Sequence, residues 1–269
     1  MKKFLKFVVS CLIYLILLCL SPLIITMVFL IFLAPISIII YLLRVLVYIL
    51  VYLIFGIGNR VKITGRENLP KGSRILFLSN HQTLIDSFLI ALGTKTFWDI
   101  LFRQKQFAYN VPETKNFYYN DLVRVFFETL KTVPISRSGV SRSKIEDQIN
   151  QFSKLLENDN LVIFFEGTRT RDGKINECRV GPALTIIKAK PNYVVPILLE
   201  DIQSIMPIKY GSKINTHIKM GNIGKMRIGK PLNLEEFYKE PYTWESAISQ
   251  SIELRQLIKK SVEDLKEPP

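Results

Sequence analysis

Between Lys6 and Arg44 the chain carries no charged side chain at all, and from Phe4 to Gly58 it is almost wholly apolar. A soluble core cannot accommodate such a run. One bilayer crossing needs about 20 apolar residues, so the stretch 7–43 exceeds a single simple span, and Pro22 and Pro35 offer the breaks that would divide it into two helices. A cleaved signal peptide over Lys2 to about Leu20 is the competing reading. Against it, no small-residue cleavage site follows and the apolar run simply continues. Lys2, Lys3 and Lys6 precede the segment and Arg60, Lys62 and Arg66 follow it. Positive charge on both flanks places both on the cytoplasmic side, which an even number of crossings or a re-entrant hairpin satisfies. Residues 1–58 are therefore expected to form a two-helix membrane hairpin, with residues 59–269 as a domain on the cytoplasmic face.

That remainder, roughly 210 residues, is large enough to bury a real core, and its pattern is α/β. Arg74-Ile75-Leu76-Phe77-Leu78-Ser79, Leu161 to Phe165 and Val194 to Leu199 read as short buried strands. Lys213 to Met220 and Lys225 to Ile228 alternate like later strands, and Thr132 to Arg137 reads as a further short strand that ends in its arginine. Ile85 to Leu92, Arg142 to Glu157, Ala183 to Ala189 and Trp244 to Leu265 have helical spacing. The helix opened by Gly181-Pro182 has two readings: a segment that closes over a site, or helix-start punctuation.

Two strand ends concentrate the chemistry. Asn80-His81-Gln82-Thr83-Leu84-Ile85-Asp86 puts one of only two histidines directly behind a strand and five residues before a carboxylate. On a continuous helix residues five apart point about 140° away from each other, so His81 and Asp86 can meet only if the chain turns between them. A neutral imidazole can take a proton from a hydroxyl near physiological pH, and a carboxylate on its other nitrogen fixes the tautomer. The bland alternative is a satisfied strand-end histidine with Asp86 capping the next helix. The second strand runs into Glu166-Gly167-Thr168-Arg169-Thr170-Arg171. There Gly167 permits a tight turn, Thr168 offers a hydroxyl and Arg169 presents a planar fork suited to a phosphate; a polar loop with solvated arginines fits the same letters.

Taken jointly, these blocks resemble the glycerolipid acyltransferase family, typified by bacterial lysophosphatidic acid (1-acylglycerol-3-phosphate) acyltransferases. Asn80-His81 with Asp86 matches the catalytic block, Pro134-Ile135-Ser136-Arg137 the second, Phe165-Glu166-Gly167-Thr168-Arg169-Thr170 the third and Val195-Pro196-Ile197 the fourth. The resemblance covers about residues 60 to 230, and the joint order is far more specific than any one block. The third block usually has proline where this chain has Phe165, and the second usually has a longer apolar run before its arginine. Phe107 to Tyr119 is longer and more polar than the family leads one to expect; it either shapes acceptor choice or is a surface insertion.

What the resemblance implies is a single mixed-sheet α/β acyltransferase domain flanked by helices. The implied reaction moves a fatty acyl group from acyl-CoA or acyl carrier protein to the free hydroxyl of a lysophospholipid, 1-acyl-sn-glycerol 3-phosphate, making phosphatidic acid. His81 would be the base and Asp86 its orienting acid. Asn80, Lys105, Arg137, Glu166, Gly167, Thr168 and Arg169 would serve substrate binding, with Arg169 and Arg137 on the phosphate. Acceptors of the same chemical class, glycerol 3-phosphate or another lysolipid, share this dyad, and a non-catalytic membrane-anchored lipid-binding protein would keep the fold.

No cofactor is expected, since a thioester is already activated; the acyl donor is a substrate. His81 and His217 are the only histidines, and Cys11, Cys19 and Cys178 show neither ligand spacing nor a disulfide framework, so no metal is expected. His217, among alternating apolar neighbours, reads as a surface strand residue. The net charge of +13 comes without any basic repeat, zinc spacing or aromatic RNA-binding motif, so nucleic acid is not the expected partner. Membrane phospholipid is, because each lysine or arginine near an acidic surface contributes about 1 kcal/mol of attraction.

Overall fold

The computed structural model describes residues 21, 35–114, 118, 120–135, 141–170, 172–207, 217–238 and 242–266. The chain divides into two compact units, Met1–Leu43 and Arg44–Pro269. Helix α1 (Ile36–Val51) starts immediately after Pro35 and runs without interruption into a wider π-type turn, Tyr52–Gly58. Together they form the one helix among the described residues that is long and apolar enough to cross a membrane. The other helix expected for the hairpin, with Pro22, Cys11 and Cys19, falls in residues 1–20 and 22–34, outside the described residues.

Strands β1 (Arg60–Thr64), β2 (Ile75–Ser79), β3 (Leu161–Phe164), β4 (Tyr193–Glu200) and β5 (Ile223–Ile228) form one mixed sheet in the order β1-β5-β4-β2-β3. All neighbours are parallel except β4 and β5. β2 reads Ile-Leu-Phe-Leu-Ser with every residue buried, as a strand covered on both faces must. Its alternate side chains serve two cores. Leu76 and Leu78 pack under α5 (Arg142–Leu155), α6 (Val180–Ala189) and α8 (Trp244–Glu263). Ile75 and Phe77 face the second half of α1 together with α2 (Asp86–Thr94), α3 (Phe97–Phe102) and the short α7 (Ile202–Ile205). Helix α4 (Asp121–Thr129) is capped by Asn120, whose side chain accepts from Val123 N.

The register sets up everything that follows. Ser79 at the end of β2 lies level with Phe164 on β3 and Ile197 on β4. Asn80-His81 and Phe165-Glu166 therefore leave the sheet side by side, and Val195-Pro196-Ile197 forms the other neighbour of β2.

Three expectations need correction. The first is the strand expected over Thr132 to Arg137: 132–135 pairs with 110–113 only through isolated bridges, Asn110 with Thr132 and Glu113 with Ile135, and 136–137 lie outside the described residues. Pro134 on one side and Pro112 on the other lack the N–H that a continuous ladder requires. The second is the strand expected over Lys213 to Met220: residues 217–220 are irregular, with His217 exposed, and 213–216 lie outside the described residues. The third is the lid reading of α6. Ala183, Leu184, Ile186 and Ile187 are buried against α5 and α8, on the sheet face away from His81, so this helix is core.

Candidate active site

The chain does turn between His81 and Asp86. Asp86 opens α2, fully buried, and its Oδ2 lies 2.8 Å from His81 Nδ1. The same oxygen accepts from Gln82 N at 2.6 Å and Thr83 N at 2.8 Å, while Oδ1 accepts from Thr83 Oγ1 at 2.6 Å. The carboxylate thus gathers the backbone behind it as well as the ring, and it caps that turn rather than its own helix. With Nδ1 turned to Asp86, the tautomer that satisfies the pair carries its proton there, and proton acceptance falls to Nε2. The ring stacks on Phe164 at 4.1 Å between centroids and 13° between planes, which fixes its plane as Asp86 fixes its direction.

Asn80 is buried and uses both ends of its amide on β4: Nδ2 donates to Leu199 O and Oδ1 accepts from Leu199 N, each at 2.8 Å. It fastens the turn to the sheet instead of facing the cleft. Gln82 does the same one residue on, its Oε1 accepting from Ile202 N at 2.9 Å.

Glu166 is 1% exposed. Its Oε1 accepts from His81 N at 3.2 Å and its Oε2 from Asn176 Nδ2 at 2.8 Å. Burial raises its pKa above the usual glutamate value, and the bonds from Asn176 and His81 N oppose that rise. The next residue, Gly167, has φ +68°, and a Cβ there would also come within 3.1 Å of the Arg179 side chain; only glycine makes this turn without strain. Thr170 N then donates to His81 O at 2.8 Å, so the turn of the third block brackets the histidine from both sides of its peptide.

Beside His81 opens a cavity of about 460 Å³ on the α1 and α2 face of the sheet. Thr168 and Arg169 line it together with His81, and its walls are mostly apolar: Val47, Tyr48 and Val51 from α1, Leu84, Ile85 and Phe88 near the start of α2, and Val162 and Phe164 from β3. The described part of the 107–119 stretch is wall too, through Phe107, Ala108, Asn110, Val111, Pro112 and Glu113, and so is no surface insertion. Lys105 does not belong to this wall: its side chain is exposed, and its carbonyl accepts from Lys131 Nζ at 2.8 Å. Two other lysines do line the cavity, Lys95 and Lys131, and Lys131 Nζ also donates to Phe107 O at 2.9 Å and to Asp159 Oδ1 at 2.8 Å. Arg137 lies outside the described residues.

Sequence reasoning missed Lys131, Lys95 and the α1 wall. None of the three had a local signal: the buried face of α1, with Tyr48 and Val51, and the place of the two lysines are set by long-range packing. Among the described residues no cluster of three or more His, Cys, Asp or Glu side chains is arranged to hold a metal ion. Cys178 is buried, its thiol pushed up to about 12 by burial, and it stands under the opposite face of the sheet.

Residues 60–200 match the family model described as Acyltransferase. The chain is similar to a chloroplastic 1-acyl-sn-glycerol-3-phosphate acyltransferase of Arabidopsis thaliana, 30% identical over 177 residues, covering 65% of this chain and 44% of that protein. It therefore spans under half the length of that relative. It is 22% identical over 188 residues to a 1-acyl-sn-glycerol-3-phosphate acyltransferase of Borreliella burgdorferi, covering 69% of this chain and 68% of the other. The crystal structure of the 1-acyl-sn-glycerophosphate (LPA) acyltransferase from Thermotoga maritima shares the fold with a TM-score of 0.54 at 20% identity, over 86% of this chain and 79% of that one.

Proposed function

Starting from the acyltransferase family, to which this chain belongs, we propose that it transfers a fatty acyl group from a thioester to the free hydroxyl of 1-acyl-sn-glycerol 3-phosphate. The observation that carries this reading is the His81–Asp86 pair at 2.8 Å at the edge of an apolar cavity that also has Arg169 in its wall. The two named relatives are called 1-acyl-sn-glycerol-3-phosphate acyltransferases, which supports this acceptor over glycerol 3-phosphate.

In the proposed reaction the acceptor phosphate sits at Arg169, whose planar guanidinium matches it, and an acyl chain occupies the apolar part of the cavity. His81 Nε2 takes the proton of the attacking hydroxyl as its oxygen adds to the thioester carbonyl. The imidazolium formed is stabilised by Asp86 across Nδ1–H. Collapse of the tetrahedral adduct breaks the C–S bond, and the proton passes from His81 to the departing thiolate. Glu166 acts on the reaction through the peptide of His81. The acyl thioester is the only co-substrate required, acyl-CoA or acyl carrier protein, both of which fit a domain on the cytoplasmic face beside the apolar helix.

The test is acyl transfer to 1-acyl-sn-glycerol 3-phosphate by membranes carrying the full chain, offered each thioester in turn. His81→Ala and Asp86→Asn are expected to lower kcat by about 10²–10⁴-fold at equal expression. Turnover by the His81→Ala variant equal to that of the intact chain would remove the base, and no turnover by the intact chain with any lysolipid would leave a lipid-binding protein.

A further inference from the structure

Helix α3, Phe97-Trp98-Asp99-Ile100-Leu101-Phe102, turns only Ile100 fully inward. Phe97 is 46% exposed, Trp98 66% and Phe102 74%, with the Trp98 and Phe102 rings stacked 5.9 Å apart. The helix is well made: Thr96 and Asp99 form a reciprocal capping box at its start, so the aromatic side is a built surface. Soluble surfaces scatter large apolar side chains singly, and a contiguous cluster of aromatics needs an explanation.

Its neighbour supplies one. Tyr48, Ile49 and Tyr52 of the apolar helix line a groove of about 420 Å³ with Arg66, Thr96 and Phe97, so the first turn of α3 stands beside the helix that is long enough to cross a membrane. That helix itself exposes Leu46, Leu50, Leu53 and Ile57. The aromatic cluster thus adjoins an apolar surface suited to lipid. On its other side the chain passes directly into Arg103 and Lys105, both exposed. Aromatic rings flanked by cations are the composition suited to the boundary between acyl chains and phosphate headgroups.

We propose that Phe97, Trp98 and Phe102 insert into the interfacial layer of an anionic bilayer, a second membrane contact beside the apolar helix. Because Ile100 and Lys95 on the inner side of this segment line the catalytic cavity, the insertion fixes how close that cavity lies to the lipid phase from which an acyl acceptor comes.

The chain has two tryptophans, which makes the test direct. Trp244 packs against Arg142, 4.9 Å from its ring, beneath the other face of the sheet. The full-length Trp244→Phe variant therefore reports on Trp98 alone, and Trp98→Phe on Trp244 alone. Both are reconstituted into phosphatidylglycerol–phosphatidylcholine vesicles with lipids brominated at shallow or deep acyl positions. The expected result is a blue-shifted Trp98 emission that is lost in brominated vesicles, most with the shallow label, while Trp244 emission is unchanged. Trp98 emission indifferent to bromine but quenched by aqueous iodide overturns the proposal, as does emission shielded from both quenchers, which would mark a contact between copies of the chain.

Discussion

Glu166 shows how one side chain can carry structure and acid–base behaviour together. Its carboxylate accepts from His81 N and from Asn176, yet burial still lifts its pKa above the usual value. The folded chain therefore binds a proton there at a pH where the unfolded chain has released it. By linkage, this contribution favours the fold below the unfolded glutamate pKa of about 4.3 and is lost as pH rises through the higher folded value. Replacing Glu166 by Gln, which cannot ionise but keeps an acceptor for His81 N, should expose the effect. The melting temperature of the intact chain minus that of Glu166→Gln is expected to fall as pH rises from about 4 to 7. A difference that grows with pH would mean that the donors outweigh burial.

At the scale of elements, the apolar helix does two jobs along its length. Tyr48, Val51 and Phe55 point into the core beneath the sheet, while Leu50 and Leu53 are about half exposed. Phe55→Ala should cost about 3–5 kcal/mol, read as a lowered urea midpoint in detergent, whereas Leu50→Ala should leave the midpoint unchanged. Equal losses at the two positions would contradict the division. Sequence patterning located β2, β3 and β4 as short apolar runs, the second part of β5 by its alternation, α2 and α6 as apolar helices, and α5 and α8 as amphipathic ones. β1 was missed although Arg60-Val61-Lys62-Ile63-Thr64 alternates in the manner of an edge strand, because its cations read equally well as flanks of a membrane segment. Neither the antiparallel joint of β4 with β5 nor the ribbon of 109–113 with 132–135 leaves a local mark; both are products of long-range pairing. In the site, the His81–Asp86 turn was legible because its spacing forbids a helix, and Gly167 because of its turn. Glu166 was open to a role in positioning the turn or the acceptor, but its partner, the peptide of His81, was not legible, and neither was the use of Asn80 as a fastener to Leu199: both partners are distant in sequence and are brought close only by the register of the sheet.

For the molecule as a whole, the important feature is how the histidine turn is attached. Asn80 is bonded to Leu199, His81 to Glu166 and Thr170, and Gln82 to Ile202, so three consecutive residues are anchored in β4, in α7 and in the turn after β3. One anchor is in the central sheet and the others directly follow its strands, so loosening the turn means breaking buried hydrogen bonds to β4, to α7 and to the turn after β3 at once. A loop that merely rests on a scaffold softens well before the scaffold does; the turn that carries His81 is expected to have no melting transition of its own. Residual acyl transfer after brief heating should therefore trace the same curve as the loss of tertiary fluorescence, and an activity midpoint several degrees below the unfolding midpoint would contradict it. For anyone seeking a more heat-resistant form, loop engineering around His81 would then gain nothing, and the place to intervene is the sheet beneath it.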